Sequence, residues 1–217
     1  MKVVIVGAGG HAAELQDYIL YGNQYNTAKE PIEIVGFIDD NPDSYNAYSF
    51  SAPFLGAIKT HNVLDAFYVI GVANIAFRRT IISNLLSRGA QFISLIHPTA
   101  IVSPSAKIGL GCVISHNSSI GPNAVLGDFN LINSRCTIGH DTNIGNYNFL
   151  SPQVVTGGFS KMGDENFLGT NAAVLPRVIL GSNNVVSAGM IVEKSVEDNQ
   201  TIFHRFKERI TIVKTQE

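Results

Sequence analysis

From Ile96 to Val192, every sixth residue but one is apolar. Stepping by six meets Ile96, Val102, Ile108, Ile114, Ile120, Leu126, Ile132, Ile138, Ile144, Leu150, Thr156, Met162, Leu168, Val174, Leu180, Val186 and Val192, and all but Thr156 are aliphatic or Met. A six-residue step walks around a 3.6-residue helix, so an amphipathic helix does not produce this pattern. The residue after the aliphatic is Gly at 109, 121, 127, 139, 145, 157, 163, 169 and 181. Glycine there suits a tight or positive-φ corner. Two residues before the aliphatic stand small side chains: Ala100, Ala106, Cys112, Ser118, Ala124, Cys136, Thr142 and Ala172. Residues two apart share one face of a strand, so both positions point inward. Each hexad is then one short strand and a corner, and three hexads close a triangular coil. Stacked coils pair their strands in parallel, giving a β-helix of about five coils over the 97 residues.

The first ninety residues read differently. Apolar runs at 3–8, 34–38 and 67–70 end in Gly or Asp, and a fourth at 92–96 leads into the repeat. Helical spacing appears over His11 to Leu20 and Asn74 to Arg88. This predicts a β-α-β-β-α-β, Rossmann-like α/β domain over 1–94, followed by the β-helix domain over 95–217 with a short C-terminal extension. The first turn, Gly7-Ala8-Gly9-Gly10-His11-Ala12, fits G-x-G-x-x-G/A, which lets a phosphate approach a helix N-terminus. A tight ligand-free turn has the same composition. Asp39 and Asp40 fall at the carboxyl end of the second strand, where such sheets bind ligands. They suit a ribose or base contact, or a capped turn before Asn41-Pro42. His61, before the third strand, is given no role.

Composition narrows the classes. Hydrophobic residues make up 45% and charged residues 15%, with a net charge of -2, so nothing marks a nucleic-acid or acidic-membrane partner. The apolar start is short for a signal peptide, and no run is long enough to span a bilayer. The two cysteines, Cys112 and Cys136, sit in small inward slots and suggest neither a disulfide framework nor a nucleophile. A cytoplasmic protein is expected.

Histidine is the residue type that combines a near-neutral pKa with base chemistry. His116 and His140 both stand two positions after an inward aliphatic, which predicts corners. They are 24 residues apart, one coil plus one face, so they are not expected to pair or to share a metal, and no metal is expected elsewhere. Asp141 follows His140 and offers a carboxylate to orient its ring. His97 stands at the start of the first coil.

The motifs VGAGGHA at 6–12, GFIDDN at 36–41, IGVAN at 70–74, LIHPTAIVSPSA at 95–106, INSRCTIGHD at 132–141 and FLGTNAAVLP at 167–176 together resemble one family. These are the sialic acid O-acetyltransferase and PglD-like sugar acetyltransferases, and the resemblance covers essentially the whole chain. It implies a left-handed β-helix, although crossover preference alone favours the right hand. It implies acetyl-CoA as co-substrate, a nucleotide-linked amino sugar of the UDP-4-amino-sugar type as acceptor, and a role in bacterial surface glycan or glycoprotein synthesis. It also implies a homotrimer with active sites between subunits. His140 looks like the catalytic base and Asp141 its orienting acid, with Asn133 touching the acceptor sugar. Gly9, Gly10, His11, Asp39 and Asp40 match the nucleotide-binding segments, and the resemblance implies that Gly71 and Asn74 complete that pocket. Gly158, Thr170 and Ala188 fall where relatives pass the acetyl-CoA arm, and the Gly158 N–H is the candidate oxyanion donor. O-acetylation of a sugar hydroxyl such as that of sialic acid, and a nucleotide-sugar binder with a degenerate acetyl site, remain alternatives. Two positions depart from the family. The segment Thr201–Lys207 replaces a Gly-x-Pro-Ala-Lys-like stretch, with Arg205 and Lys207 as possible phosphate contacts. Phe149 stands where some relatives carry an acyl-site histidine.

Overall fold

The computed structural model describes residues 1–25 and 30–204. Arg205 and Lys207 lie outside these residues.

The amino-terminal unit is a four-stranded, fully parallel sheet. Its strands are β1 (Lys2–Val6), β2 (Glu33–Ile38), β3 (Phe67–Ile70) and β4 (Gln91–Phe92), in spatial order β2-β1-β3-β4. Val3 to Val6 are fully buried, as expected of a central strand covered on both faces. Its helices are α1 (Gly10–Gln24), α2 (Pro42–Asn46) and α3 (Ile75–Ser87). Helix α3 starts one residue later than its spacing predicts, because Asn74 serves as the N-cap and accepts from the Ala76 N–H at 3.0 Å. The short α2 was not anticipated. Pro42 opens it, and the Asn41 side chain accepts from the Asp43 N–H. The run at 92–96 is not one strand. Phe92 pairs with Tyr68 in the first sheet, whereas Leu95–Ile96 pairs with Val113–Ile114 in the β-helix.

From Leu95 the chain winds into three parallel sheets of seven, six and five two-residue strands. The register advances by eighteen residues, as in Val113↔Leu131↔Phe149↔Phe167↔Val185. There are about six turns, one more than expected, because the coils start at Leu95 and a final strand, Thr201–Ile202, adds to the seven-stranded sheet. The inward aliphatics from Ile114 to Val192 form one continuous buried column. Burying each such side chain contributes about 1.5–3 kcal/mol.

The corners revise the expected use of glycine. The glycines that follow the inward aliphatics do not adopt positive φ. The residue two places further on does, and it is rarely glycine: Asn117, Asn123, Arg135, Asp141, Phe159 and Arg177 all have φ between 56° and 64°. The glycines answer a different need. A Cβ on Gly139 would lie 2.6 Å from the Gly158 nitrogen, and one on Gly121 2.7 Å from the His140 nitrogen. Glycine is required there by the closeness of the next coil.

At one corner the inward slot holds Asn130, Asn148, Asn166 and Asn184, all fully buried. Each Oδ1 accepts the backbone N–H one coil on, at 2.7–2.9 Å. Buried amides are tolerated because the ladder satisfies each Oδ1, while the Asn184 Nδ2, at the last step, has no partner among the described residues.

The α/β domain packs on the outer face of the seven-stranded sheet. Leu95, Val113 and Leu131 join the cluster of β1 and α1, with Phe149 against it. Arg79 pairs with Glu165 across the same junction. Arg78 is buried beside them, and burial pushes its guanidinium down to about 10, still charged at neutral pH.

Candidate active site

His140 sits on the corner between the six- and five-stranded sheets, held open to solvent by the turn that follows Thr137–Ile138. Asp141 takes the positive-φ place of this corner, a conformation that aspartate tolerates better than most residues. This bend turns the carboxylate back on its neighbour, so adjacent residues meet: Asp141 Oδ2 lies 2.8 Å from His140 Nδ1. The other oxygen accepts from Asn123 Nδ2 one coil below, at 3.1 Å. Both bonds, the histidine's first, hold the Asp141 carboxyl below its usual range. An ionised Asp141 assigns the proton to Nδ1 and leaves the Nε2 lone pair free.

The next coil supplies the wall. A Cβ on Gly158 would stand 2.7 Å from both Cε1 and Nε2 of His140, so the imidazole lies against bare backbone. The Gly158 carbonyl accepts from the Arg177 N–H, while its own N–H has no protein partner among the described residues. Phe159, 47% exposed, meets the imidazole edge-on at 5.1 Å and 90°.

Asn133, Thr170 and Ala188 occupy the other edge of the six-stranded sheet, the corner after the seven-stranded one. Asn133 is half-buried, and its Oδ1 accepts the Ser134 N–H at 2.8 Å. Thr170 and Ala188 are exposed and stack one coil apart, with Gly189 donating to the Thr170 carbonyl. Within one chain these three are not brought to His140. His116 lies on their corner and is drawn into the domain junction, where its ring meets Tyr18 at 5.9 Å and His97 at 5.7 Å.

The glycine-rich turn lies at the carboxyl edge of the α/β sheet. Gly7 has φ +102°, and Gly9 caps α1 with no side chain, so the first helical N–H groups face outward. Gly10 lies under the Tyr48 hydroxyl, where a Cβ would come within 2.9 Å. Gly71 presses on the Val6 carbonyl and Ala12. His11 Nδ1 pairs with Glu14 Oε2 at 3.0 Å, and this bond lowers the Glu14 carboxyl; its buried Nε2 has no protein partner. Asp39 is already engaged by backbone, accepting from Ala8 N at 2.7 Å and Asn41 N at 2.8 Å. Asp40 accepts from Lys59 N and is exposed. Beside Asn74, a cleft of about 400 Å³ opens between the domains, lined by Ala73, Ile75, Ala76 and the stacked rings of Phe149 and Phe167. A larger cavity of about 580 Å³ lies at the amino edge of the sheet, around Met1, Lys2 and Phe67, away from these groups.

Asn123, Phe159 and Arg177 were not singled out from the sequence. The signal was present: each is Asp141 displaced by one or two eighteen-residue coils. Among the described residues no three His, Cys, Asp or Glu side chains gather into a metal-binding group, and no helix is long and apolar enough to cross a membrane.

An α/β domain with an open phosphate-type turn, seated on a β-helix that carries a histidine–carboxylate corner, defines a class of two-domain hexapeptide-repeat proteins. Residues 2–85 match the PglD N-terminal domain family. The UDP-N-acetylbacillosamine N-acetyltransferase of Bacillus subtilis (strain 168) is 31% identical over 116 residues, 52% of this chain and 50% of that protein. The chain therefore matches about half the length of that curated relative. The acetyltransferase domain of PglB from Neisseria gonorrhoeae FA1090, solved in complex with acetyl coenzyme A, is 29% identical with a TM-score of 0.80, covering 92% of this chain and 94% of that one. PerB from Caulobacter crescentus, solved with CoA and GDP-perosamine, shares the fold at 24% identity and a TM-score of 0.75, covering 93% of each chain.

Proposed function

We propose that this chain is an acetyl-CoA-dependent N-acetyltransferase acting on a nucleotide-linked amino sugar in bacterial glycan synthesis. The observation that carries the reading is the His140–Asp141 pair, whose free Nε2 lies against the bare backbone of Gly158. A solved relative matched over 92% of this chain holds acetyl coenzyme A, which supports the donor, and a curated relative matched over 52% of it is named a UDP-N-acetylbacillosamine N-acetyltransferase, which supports the acceptor class.

In this reading the acceptor's phosphates rest on the N-terminus of α1 at Gly9, Gly10 and His11, an electrostatically favourable place for an anion. Asp40, with what remains of the accepting capacity of Asp39, faces the nucleoside. Gly71 keeps the floor of the turn thin, and Asn74 borders the cleft that takes the sugar. His140 Nε2 removes a proton from the amine as nitrogen bonds to the thioester carbonyl carbon. The Gly158 N–H receives the developing oxyanion. The C–S bond then breaks, and the proton passes from His140 to the departing thiolate.

Thr170, Ala188 and Asn133 stand one sheet width from His140 in the same chain. A homotrimer reconciles this, with the His140 corner of one subunit facing the Thr170–Ala188 corner of the next. The outer face of the intervening six-stranded sheet carries exposed Ile101, Val155 and Ile191, apolar surface suited to that packing. The buried free thiols Cys112 and Cys136 suit the reducing cytoplasm, where acetyl-CoA is made.

The test is thiol release from acetyl-CoA in the presence of UDP-amino sugars, GDP-amino sugars or free sialic acid. Turnover is expected with one of the nucleotide-amino sugars, the product carrying a new amide. Thiol release with sialic acid alone would replace this reading with O-acetylation, and no release with any acceptor would reject it.

A further inference from the structure

The corner that carries His140 does not end there. Asn123, Asp141, Phe159 and Arg177 form one column, each residue eighteen beyond the last and each at φ 56–64°. With strands about 4.8 Å apart, Arg177 stands about 10 Å along the axis from Asp141. Its guanidinium lies 5.1 Å above the Phe159 ring. Among the described residues it makes no ion pair and no side-chain hydrogen bond. Exposed arginines ordinarily spend rotamer freedom to hold one position; stacking on an aromatic face fixes this one in advance and leaves its N–H donors free. Phe159 thus has two tasks, touching His140 with one edge and carrying Arg177 on its face. Beside this column one coil is bare, at Gly157 and Gly158, and the next presents the exposed Leu175 and Pro176 as a low apolar rim. A Cβ on Gly157 would strike Pro176 at 2.5 Å, and one on Gly158 would strike His140. A narrow, flexible chain fits along this stretch, and an anion fits at its end.

We propose that Arg177, held on Phe159, binds the diphosphate of the thioester donor while the donor's arm lies along Gly157, Gly158 and Pro176. This rests on the acetyl-CoA reading above and gives it a docking residue on the described coils. The donor class follows from the order along this edge: a base at His140 for the thioester, a bare stretch for a thin linker that bends, then positive charge for its diphosphate. Arg177 binds and takes no part in the proton transfer.

The test compares wild type with Arg177→Asn and Arg177→Lys. Asparagine accepts the positive φ, so the corner survives while the charge is lost. Melting temperature checks the fold. Isothermal titration with CoA and with dephospho-CoA should show binding weakened about tenfold in Arg177→Asn for both ligands, since both keep the diphosphate. Arg177→Lys should recover only part of this, because lysine lacks the planar fork. In turnover, the preference for acetyl-CoA over acetyl-pantetheine should shrink about tenfold in Arg177→Asn, through KM for the donor. Unchanged CoA binding in Arg177→Asn overturns the proposal while leaving the acetyltransferase reading intact. Weakening with CoA but not dephospho-CoA overturns the diphosphate assignment. Failure of wild type itself to bind CoA removes both readings.

Discussion

His116 and His140 hold the same slot in the repeat, two residues after an inward isoleucine, yet they lead different lives. His140 is 56% exposed at the side chain, has a carboxylate on Nδ1, and faces bare glycine backbone. His116 is half-buried among Tyr18 and His97, against the helix that carries the glycine-rich turn. The repeat fixes where each ring leaves the coil. What each ring does depends on what covers the corner, and one corner is covered by a second domain. A catalytic corner must stay accessible, so the same slot beneath the α/β domain is suited to packing.

Substitution at the two positions should separate the roles. His140→Ala is expected to lower kcat by about 10²–10⁴-fold with the melting temperature nearly unchanged. His116→Ala should do the reverse in kind, lowering the melting temperature by a few degrees while changing kcat less than His140→Ala does. Equal loss of activity in both variants would abolish the distinction. Gly158→Ala should rank next, since its methyl would occupy the space of the His140 ring at 2.7 Å. Displacing a catalytic base by about 1 Å costs on the order of 10²-fold in rate. Asp141→Asn should cost about tenfold to a hundredfold in kcat by releasing the tautomer. Asparagine preserves the positive φ, so a fall in stability equal to the fall in rate would instead assign Asp141 a structural role.

The smallest effect concerns pH and the covered side of the comparison. Burial lowers the pKa of His97, and the adjacent His116 adds to the shift. The His97 Nδ1 accepts the Thr99 N–H at 3.1 Å, a bond that only the neutral ring can make. Burial likewise lowers His61, whose Nε2 lies 2.8 Å from the Tyr68 hydroxyl. Both folded-state values lie below the ordinary 6.5, so the unfolded chain takes up protons first as pH falls. Their contribution is present above about pH 6.5 and is lost on acidification through the folded-state values. The melting temperature should therefore drop between pH 7 and 5, and by less in His97→Gln. An unchanged drop would remove His97 from the junction's pH response.

The β-helix was legible because its constraint is local and repeated. Inward aliphatics and bare glycines recur at each coil, and a single strip of sequence displays them all. The α/β strands were legible from apolar runs ending in Gly or Asp. The run at 92–96 is uniformly apolar, and hydrophobicity alone does not reveal that a strand ends at Phe92 and another begins at Leu95 in a different sheet. The Asn130–Asn184 ladder was passed over because buried asparagine looks polar until the coil above is known. For the site, the His140–Asp141 contact was suggested by adjacency, but the bend that brings the side chains together depends on φ at Asp141. Phe159 and Arg177 have no local signature; they are recovered only by counting whole coils. Asp39 shows the opposite limit, since its position suggests a ligand contact while its oxygens already bind the backbone of Ala8 and Asn41.

As far as Val185 the eighteen-residue register acts as a ruler, and only the last coil, Val185↔Thr201, is shorter. Inserting or deleting eighteen residues beyond Arg177 lengthens or shortens the solenoid and returns each later side chain to its own edge, with only neighbouring coils affected. A change of six or twelve keeps every inward aliphatic inward yet rotates the later residues to another edge of the prism. Between Asp141 and Gly158, such a change would preserve a well-packed core and still separate His140 from its glycine wall. Variation in length along this chain is therefore quantised by the site as well as by the core, and the site imposes the coarser unit.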